Sequence, residues 1–546
     1  MVTTARKDIK ANFLKIGKNG SVTVSGKSNK NSTNALSDNK NNSKNSVYNI
    51  MDIDFSALSK NETDKNIKAL HDYFGAEQPT KKNEYTGKFK GYNLIMLTAE
   101  GFAPYAIDKN LTPTLYKMYN EGFKFTEYYN PPWNVSTSDG EYVECTGLIP
   151  KSGVWSFYES GKNGIFLPFS MPQQFLNVGV NPVYGYHNNT YSYYHRDVSH
   201  PNLGYLYKGL GNGLDIKKTW PESDKEMIEK TVGDYLNLNP LKTPSLNSSE
   251  NTQNKNNTKN TKNAKNTKNS SVAASANNLK NGKNGKNKAG GLTNGTADKT
   301  TQSLTTKRFH AYYMTVSGHM EYDFKNNYIA YKYRDLVKNS NCSDTVKAYK
   351  ACNIDLDRAL EVLLNSLKKA GVADKTLIAL SPDHTPYGLE AKSGNKYKYF
   401  NEVFGHEVET QFEVNKSVFL LYSPSMKKPV TVTKPCCPMD IIPTLNNLLG
   451  FEYDSRLLPG KDILSNSEGL VVFENHSFIT SKGKYSTSTG KFTKNVSSNI
   501  ENQEEYVKKI KKEVNNKFVV CAKILETNYY AKAVTSRKHI KGGLYK

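Results

Sequence analysis

The sequence predicts a doubly wound α/β fold, a mostly parallel sheet flanked by helices, followed by a small C-terminal α+β subdomain. Three observations predict it. Between Tyr92 and Leu449, short apolar runs of strand length alternate with helical patterns, the sign of a sheet with helices on its faces. Polar residues able to bind metal or move protons follow several of those runs, at the end where open α/β sheets hold their ligands. Past Ser465 the pattern changes to short strands and one charged helix.

Taken in order, residues 1–45 form a basic tail, with nine Lys/Arg against Asp8 and Asp38. Such Asn/Lys/Ser/Thr/Gly composition buries too little apolar surface to offset chain entropy, so disorder is expected. Residues 46–90 read as a helical lead-in, Ile50 to Phe74, and a polar hinge. The catalytic domain is expected over 91–465. Its first strand is Tyr92 to Thr98, and a helix follows from Leu111 to Glu121, opened by Thr112 and Pro113. Phe123 to Tyr129 and Pro182 to Tyr186 are strands, and Glu222 to Leu236 is a helix. An Asn/Lys-rich insertion, 242–300, then interrupts the domain as a disordered surface loop; its 242–299 stretch carries eleven Lys against Glu250 and Asp298. His310 to Ser317 resumes as a strand. Thr345 to Ala370 is a long amphipathic helix with Leu356, Leu360, Leu363, Leu364 and Leu367 at helical spacing. Thr376 to Leu380 and Ser417 to Tyr422 are strands, and Pro438 to Leu449 is a helix stopped by Gly450. Residues 466–546 make the C-terminal subdomain, with strands in Leu470 to Thr480 and Tyr485 to Thr493 and a helix near Glu504 to Glu513.

The formal net charge of +23 on 546 residues is mostly a property of the tail and the insertion, which supply +7 and +9 of it. It suits an anionic membrane surface or an acidic polymer. No zinc-finger, helix-turn-helix or RNA-binding signature points to nucleic acid, which is excluded as a partner. Six cysteines make no disulfide framework; Cys342 and Cys352 are within reach of each other along the chain, but ordinary buried thiols are expected. No apolar run approaches the ~20 residues of a membrane helix, and the polar start lacks a signal-peptide core. The chain is therefore either soluble as it stands or preceded by membrane segments.

Four strand ends deliver candidate site residues: Glu100 after Thr98, His187 after Tyr186, His319 after Ser317, and Asp383 with His384 after Ser381. A single histidine behind a strand is commonly a loop residue; four such placements converge. The Asn134 to Glu141 segment has the hydroxyl and acid composition of a helix start. Thr137 there is either an ordinary capping-region hydroxyl or a nucleophile with helix N–H groups behind it for an incoming phosphate. A metal held by Glu100, Asp383 and His384 would activate that hydroxyl. Oxygen ligands and one imidazole suit Mn²⁺ or Mg²⁺ ahead of Zn²⁺.

These residues resemble the extracellular domain of the lipoteichoic acid synthase family, within the alkaline phosphatase and sulfatase superfamily. Leu97-Thr98-Ala99-Glu100 resembles the first metal-ligand strand end, and Ser136-Thr137-Ser138-Asp139, with Glu141 following, the threonine nucleophile motif. Tyr186-His187-Asn188-Asn189 and Tyr193-Tyr194-His195-Arg196-Asp197 resemble the segment that binds substrate phosphate and glycerol. Thr315-Val316-Ser317-Gly318-His319 resembles the second substrate histidine, and Ser381-Pro382-Asp383-His384 the paired metal ligands. Met439 to Leu445 and Gly460-Lys461-Asp462 resemble the closing helix and loop. Tyr194 stands where many members carry tryptophan, and no Cys-x-Pro-x-Arg sulfatase signature is present.

The resemblance implies a phosphoglycerol transferase on the outer face of the cell membrane, or released to the wall or medium, acting as a monomer with one Mn²⁺ or Mg²⁺. Phosphatidylglycerol is the implied donor, diacylglycerol the leaving product, and a growing polyglycerolphosphate chain the acceptor. Thr137 is the implied nucleophile, and Glu100, Thr137, Asp383 and His384 the metal set. Arg196, Tyr194 and His187 are expected to bind the glycerophosphate, and His319 to bind substrate and handle protons, an imidazole titrating near pH ~6.5 when unperturbed. His195, His200 and His406 are expected to be surface or structural. Another phosphodiesterase, phosphoethanolamine transferase or sulfatase-like hydrolase on this fold is the second reading, and a non-catalytic binder of anionic polymer the third.

Overall fold

The structure, a computed structural model, describes residues 46–236, 238 and 306–543, and the backbone of 13–16 and 22–25. The expected disordered insertion, and most of the expected tail, lie outside the described residues. Within the tail one correction applies. Strand β1 (Phe13–Ile16) pairs antiparallel with β2 (Val22–Ser25). Each run carries apolar or β-branched residues, which favour strand; the Asn/Lys composition around them masked that local signal.

Nine strands form the main sheet: β3 (Asn93–Ala99), β4 (Phe123–Phe125), β5 (Tyr184–Thr190), β6 (Leu206–Leu210), β7 (Gly213–Leu214), β8 (His310–Met314), β9 (Thr376–Pro382), β10 (Leu420–Tyr422) and β11 (Val430–Val432). Their spatial order is β11-β4-β10-β9-β3-β8-β5-β6-β7. Among them β10 runs antiparallel to both its neighbours, and the other pairings are parallel. The expected doubly wound sheet is therefore present.

Successive side chains on a strand point to opposite faces, and here they enter two separate cores. Leu94 and Met96 on β3, with Leu377 and Ala379 on β9, join one core. Ile95, Leu97 and Ala99, with Ile378 and Leu380, join the other. The long helix Asp344–Lys369 covers the second face with Leu356, Leu360, Leu363 and Leu367. Its N-cap Ser343 accepts a hydrogen bond from the Val346 amide.

The lead-in forms two helices, Phe55–Asn61 and Lys65–Ala76. The C-terminal segment forms a four-stranded antiparallel sheet, β12 (Leu470–Val472), β13 (Phe478–Thr480), β14 (Gly483–Ser486) and β15 (Lys491–Lys494), then the helix Gln503–Thr527. That helix runs well past the expected Glu513. Its later turns carry Val514, Val520, Cys521, Ile524 and Leu525, all buried, at helical spacing. Lead-in and C-terminal segment meet directly: His71 Nδ1 and the Tyr529 hydroxyl lie 3.0 Å apart, and Phe74 packs on Tyr529. Both contribute to the core that also holds Leu94 and Met96, so these segments extend the first face of the sheet.

All six cysteines are free, Cys342 and Cys352 included. Among the described residues, no helix is long and apolar enough to cross a membrane.

Candidate active site

Parallel pairing assembles the site. On β3 and β9, Ala99 lies opposite Pro382, so the next residues in each chain, Glu100 and Asp383, leave the sheet side by side. On the other flank of β3, Thr98 lies opposite Met314 of β8, whose following loop carries His319. The next strand, β5, places His187 opposite Met314. Four neighbouring strands thus bring Asp383-His384, Glu100, His319 and His187 to one edge. His187 itself lies inside β5, three residues before its end, rather than in a following loop.

Two glycines set the close approaches. The helix Ser136–Thr146 crosses the strand ends, and a Cβ on Gly140 would sit 2.0 Å from the Asp383 carbonyl oxygen. A Cβ on Gly318 would sit 2.1 Å from the Glu100 carbonyl oxygen. Both approaches exclude any side chain, and they bring Thr137 and the His319 loop against the Glu100–Asp383 pair. Glu144, one turn beyond Gly140, accepts a hydrogen bond from Thr98 Oγ1 at 2.8 Å and ties the helix to β3. The helix start is capped differently from the expectation. Val135 occupies the N-cap with no side-chain bond, and Asp139 reaches back to accept from the Val135 amide at 2.9 Å.

Thr137 is buried, with Oγ1 3.4 Å from Glu100 Oε2 and 3.3 Å from His384 Nε2. His384 Nε2 is in turn 3.3 Å from Glu100 Oε1 and 3.2 Å from Asp383 Oδ2. Ligand atoms of Glu100, Asp383 and His384 all lie within 4.8 Å of one another. Two details test whether this set fits a cation. Asp383 Oδ1 accepts from the amides of Gly101 (2.9 Å) and His384 (2.7 Å), while buried Oδ2 has no hydrogen-bond donor. His384 Nδ1 lies 2.8 Å from the Thr385 carbonyl and donates to it, so Nε2 is the nitrogen that faces the carboxylates and would bind a cation once deprotonated. The three residues can hold a divalent cation.

Electrostatics agree. Without a cation, burial works against the charges of His384 and Glu100 alike, but the two carboxylates hold His384 protonated, up to about 9, and its charge in turn holds Glu100 at about 2. Burial and the neighbouring Glu100 charge push Asp383 up to about 8. Two carboxylates this close resist ionising together without a cation.

Beyond the cation set lies a polar wall. Arg196 is buried; its Nε donates to Glu141 Oε2 at 2.9 Å and one Nη to the Tyr193 carbonyl at 3.2 Å. Its other terminal nitrogen, Nη2, has no acceptor. Glu141 also accepts from Tyr312 (2.8 Å) and lies 3.1 Å from His200 Nε2. That explains the placement of His200, a buried support for Glu141, whereas His195 and His406 are exposed. His187 donates through Nδ1 to the Met314 carbonyl at 3.1 Å, and its buried Nε2 has no partner. Burial and the Arg196 charge push His187 down to about 3, so it is a neutral acceptor. His319 packs edge-on to Trp220. Tyr194 faces the Arg196 guanidinium, 5.5 Å from ring centre to Cζ.

Sequence reasoning missed most of an aromatic rim, of which only Tyr193 stood in a segment already singled out. Trp155, Tyr193, Trp220 and Tyr387 are 39–43% exposed. Each touches a site group: Trp155 packs on Tyr194, Tyr193 on His187, Trp220 on His319 and Tyr387 on His384. Nothing in the local sequence marks Trp155 or Tyr387, because their neighbours come from distant elements.

A mostly parallel sheet ending in two carboxylates, an imidazole and a buried threonine defines a phosphatase- and sulfatase-like α/β protein. The chain belongs to the sulfatase family, whose model matches residues 96–451. It is 23% identical over 443 residues to lipoteichoic acid synthase 2 of Bacillus subtilis, covering 78% of this chain and 56% of that relative. The chain thus spans little more than half the length of that relative. Among solved structures, the lipoteichoic acid synthase LtaP from Listeria monocytogenes superposes with a TM-score of 0.57 at 18% identity, covering 84% of this chain and 98% of the other. A protein of the alkaline phosphatase superfamily from Vibrio parahaemolyticus gives 0.53 at 14% identity, over 87% and 95%. The last two likenesses bear on the fold.

Proposed function

We propose that the chain is a metal-dependent phosphoglycerol transferase that moves glycerophosphate from phosphatidylglycerol to a polyglycerolphosphate chain through Thr137. The observation that carries the reading is the contact of a buried threonine hydroxyl with Glu100 and His384, beside an unpartnered Asp383 oxygen. The names of the relatives favour this substrate class. Glu100, Asp383 and His384 would hold a divalent cation, which when bound would lower the pKa of the Thr137 hydroxyl and offset phosphate charge. Two carboxylates, a hydroxyl and one imidazole favour Mn²⁺, then Mg²⁺.

The residues of the chain divide the remaining work. Thr137, ionised, attacks phosphorus; its O–P bond forms as the bond to the diacylglycerol oxygen breaks. His319 gives a proton to that leaving oxygen. In the second step an acceptor hydroxyl yields its proton to His319, attacks phosphorus and releases Thr137. Arg196 offers its free Nη2 to the phosphodiester, a charge-assisted bond. Neutral His187 accepts a glycerol hydroxyl at Nε2, and Tyr194 packs against the glycerol. Family membership by itself would also allow sulfate-ester hydrolysis, but the residue beside the cation set is a threonine, with no cysteine in its place.

The product decides. With phosphatidylglycerol and Mn²⁺ the expected products are diacylglycerol and a glycerophosphate-extended acceptor. Faster release of sulfate from sulfate esters, or of phosphate from monoesters, would replace the transferase reading with the hydrolase.

The rim supports an anionic membrane surface as the place of work, and the kinship with lipoteichoic acid synthases favours the outer face of the cell. Trp and Tyr settle at membrane–water interfaces, and exposed Lys217 and Lys218 precede Trp220. The remaining tryptophan, Trp133, is buried. Vesicles of brominated phosphatidylglycerol are therefore expected to quench Trp155 and Trp220. In the Trp155→Ala/Trp220→Ala variant quenching disappears and vesicle partitioning weakens ~10-fold, about 1.4 kcal/mol. Vesicle binding without quenching would place the membrane elsewhere on the surface.

A further inference from the structure

We infer that Asp224, outside the cation set and the phosphate wall, is the positioning residue that holds His187 and His319 at a common spacing. Its carboxylate is fully buried and lies between the two segments that carry them. Oδ1 accepts from Asn188 Nδ2 at 2.8 Å, from the Val316 amide at 2.9 Å and from the Ser317 amide at 3.2 Å. Oδ2 accepts from the Ser317 hydroxyl. Asn188 follows His187 on β5, and Ser317 precedes His319 by two residues in the loop after β8.

The position of Asp224 is itself fixed. It opens the helix Asp224–Thr231, whose N-cap Ser223 donates to Asp355 Oδ2 at 2.8 Å. The Lys225 amide donates to the same oxygen at 3.1 Å. Asp355, fully buried in the helix Asp344–Lys369, also accepts from Lys332 and Tyr333, each at 2.8 Å. The long helix thus anchors a short one, and the short one presents a single carboxylate to two strand ends. The four donors to Asp224 are all neutral, so burying its charge stabilises the fold little and costs desolvation. What the carboxylate uniquely supplies is enough acceptor capacity to bind both segments at once. His187 is additionally tied to β8 through the Met314 carbonyl, which leaves the His319 loop as the part that depends most on Asp224.

This inference rests on the proposed roles of the two histidines, and its test has one arm that does not. In the full chain labelled at histidine Cε1, the ring signals of His187 and His319 are expected to move together in Asp224→Ala, while that of His71 stays. The larger movement is expected at His319; unmoved signals, or movement of His187 with His319 unmoved, would overturn the clamp. In the second arm, Asp224→Ala with Mn²⁺ and phosphatidylglycerol is expected to lose ~10- to 100-fold in kcat at full metal occupancy, the cost of a misplaced catalytic group. In a His319→Ala background the same change should cost less than ~3-fold, because both act through one group. A full additional loss in that background would assign Asp224 a general structural role. If Asp224→Ala fails to fold, Asp224→Asn keeps the Oδ1 acceptor for Asn188 and the two amides and loses only the acceptor of the Ser317 hydroxyl on Oδ2; an intermediate loss is then expected, and wild-type turnover contradicts the inference. A wild-type protein inactive on phosphatidylglycerol would count against the proposed function, and the ring signals would still decide the clamp.

Discussion

Thr137→Ala is expected to abolish turnover, by at least ~10³-fold, with the fold and the bound cation retained. The expectation follows from what the substitution removes. Thr137 Oγ1 makes two long contacts, 3.4 Å to Glu100 and 3.3 Å to His384, so little binding energy is lost with it. Asp139, rather than Thr137, closes the helix start, and the stability cost should stay near ~1 kcal/mol. The chemistry, by contrast, has no substitute: removing a nucleophile costs several orders of magnitude. Thr137→Ser keeps the oxygen but frees its rotamer, and partial activity is expected. Rates from the purified variants against a water-soluble glycerophosphodiester measure this directly. Unchanged turnover in Thr137→Ala would remove Thr137 from the reaction.

Asp383→Asn and Asp383→Ala are expected to lose the cation for separable reasons. Oδ1 supports the backbone by accepting from Gly101 and His384, whereas Oδ2 faces Glu100 and His384 without a donor. Asparagine can keep the first function and replaces the second oxygen with an N–H₂ group, which cannot bind a cation. Metal affinity should fall by ~10²-fold or more, since even indirect supports of a metal site are worth 10- to 100-fold. Stability without metal should change little in the asparagine variant, because the repulsion between two buried carboxylates is relieved. Alanine strands both amides as well, and a further ~1–3 kcal/mol is expected to be lost. Metal analysis of the purified variants, with melting curves in chelator, separates the two effects. Stoichiometric metal in Asp383→Asn would show that other residues hold it.

Local patterns made much of this legible. Glu100, Asp383 and His384 stand directly behind apolar runs that are β3 and β9, and the fold class followed from the alternation of such runs with amphipathic helices. The strand order β9-β3-β8-β5, which seats the four groups side by side, is nonlocal and leaves no trace in any window of sequence. His187 shows the limit of boundaries: the expected strand ends at Tyr186, yet β5 continues through Thr190. The partners of Arg196 show another limit. Its place near the phosphate site was legible, but the buried Glu141, with Tyr312 and His200 behind it, comes from three separate elements. Nothing in the sequence singles out Asp224, since the segments it binds lie 36 and 92–93 residues away.

The most direct measurement of the central claim is a peptide map after brief incubation with phosphatidylglycerol and Mn²⁺ in the absence of acceptor. The account predicts one glycerophosphate adduct, on Thr137, absent in Thr137→Ala and discharged when a polyglycerolphosphate acceptor is added. An adduct on another residue, or diacylglycerol released by the wild-type protein while Thr137 stays unmodified throughout turnover, would contradict it.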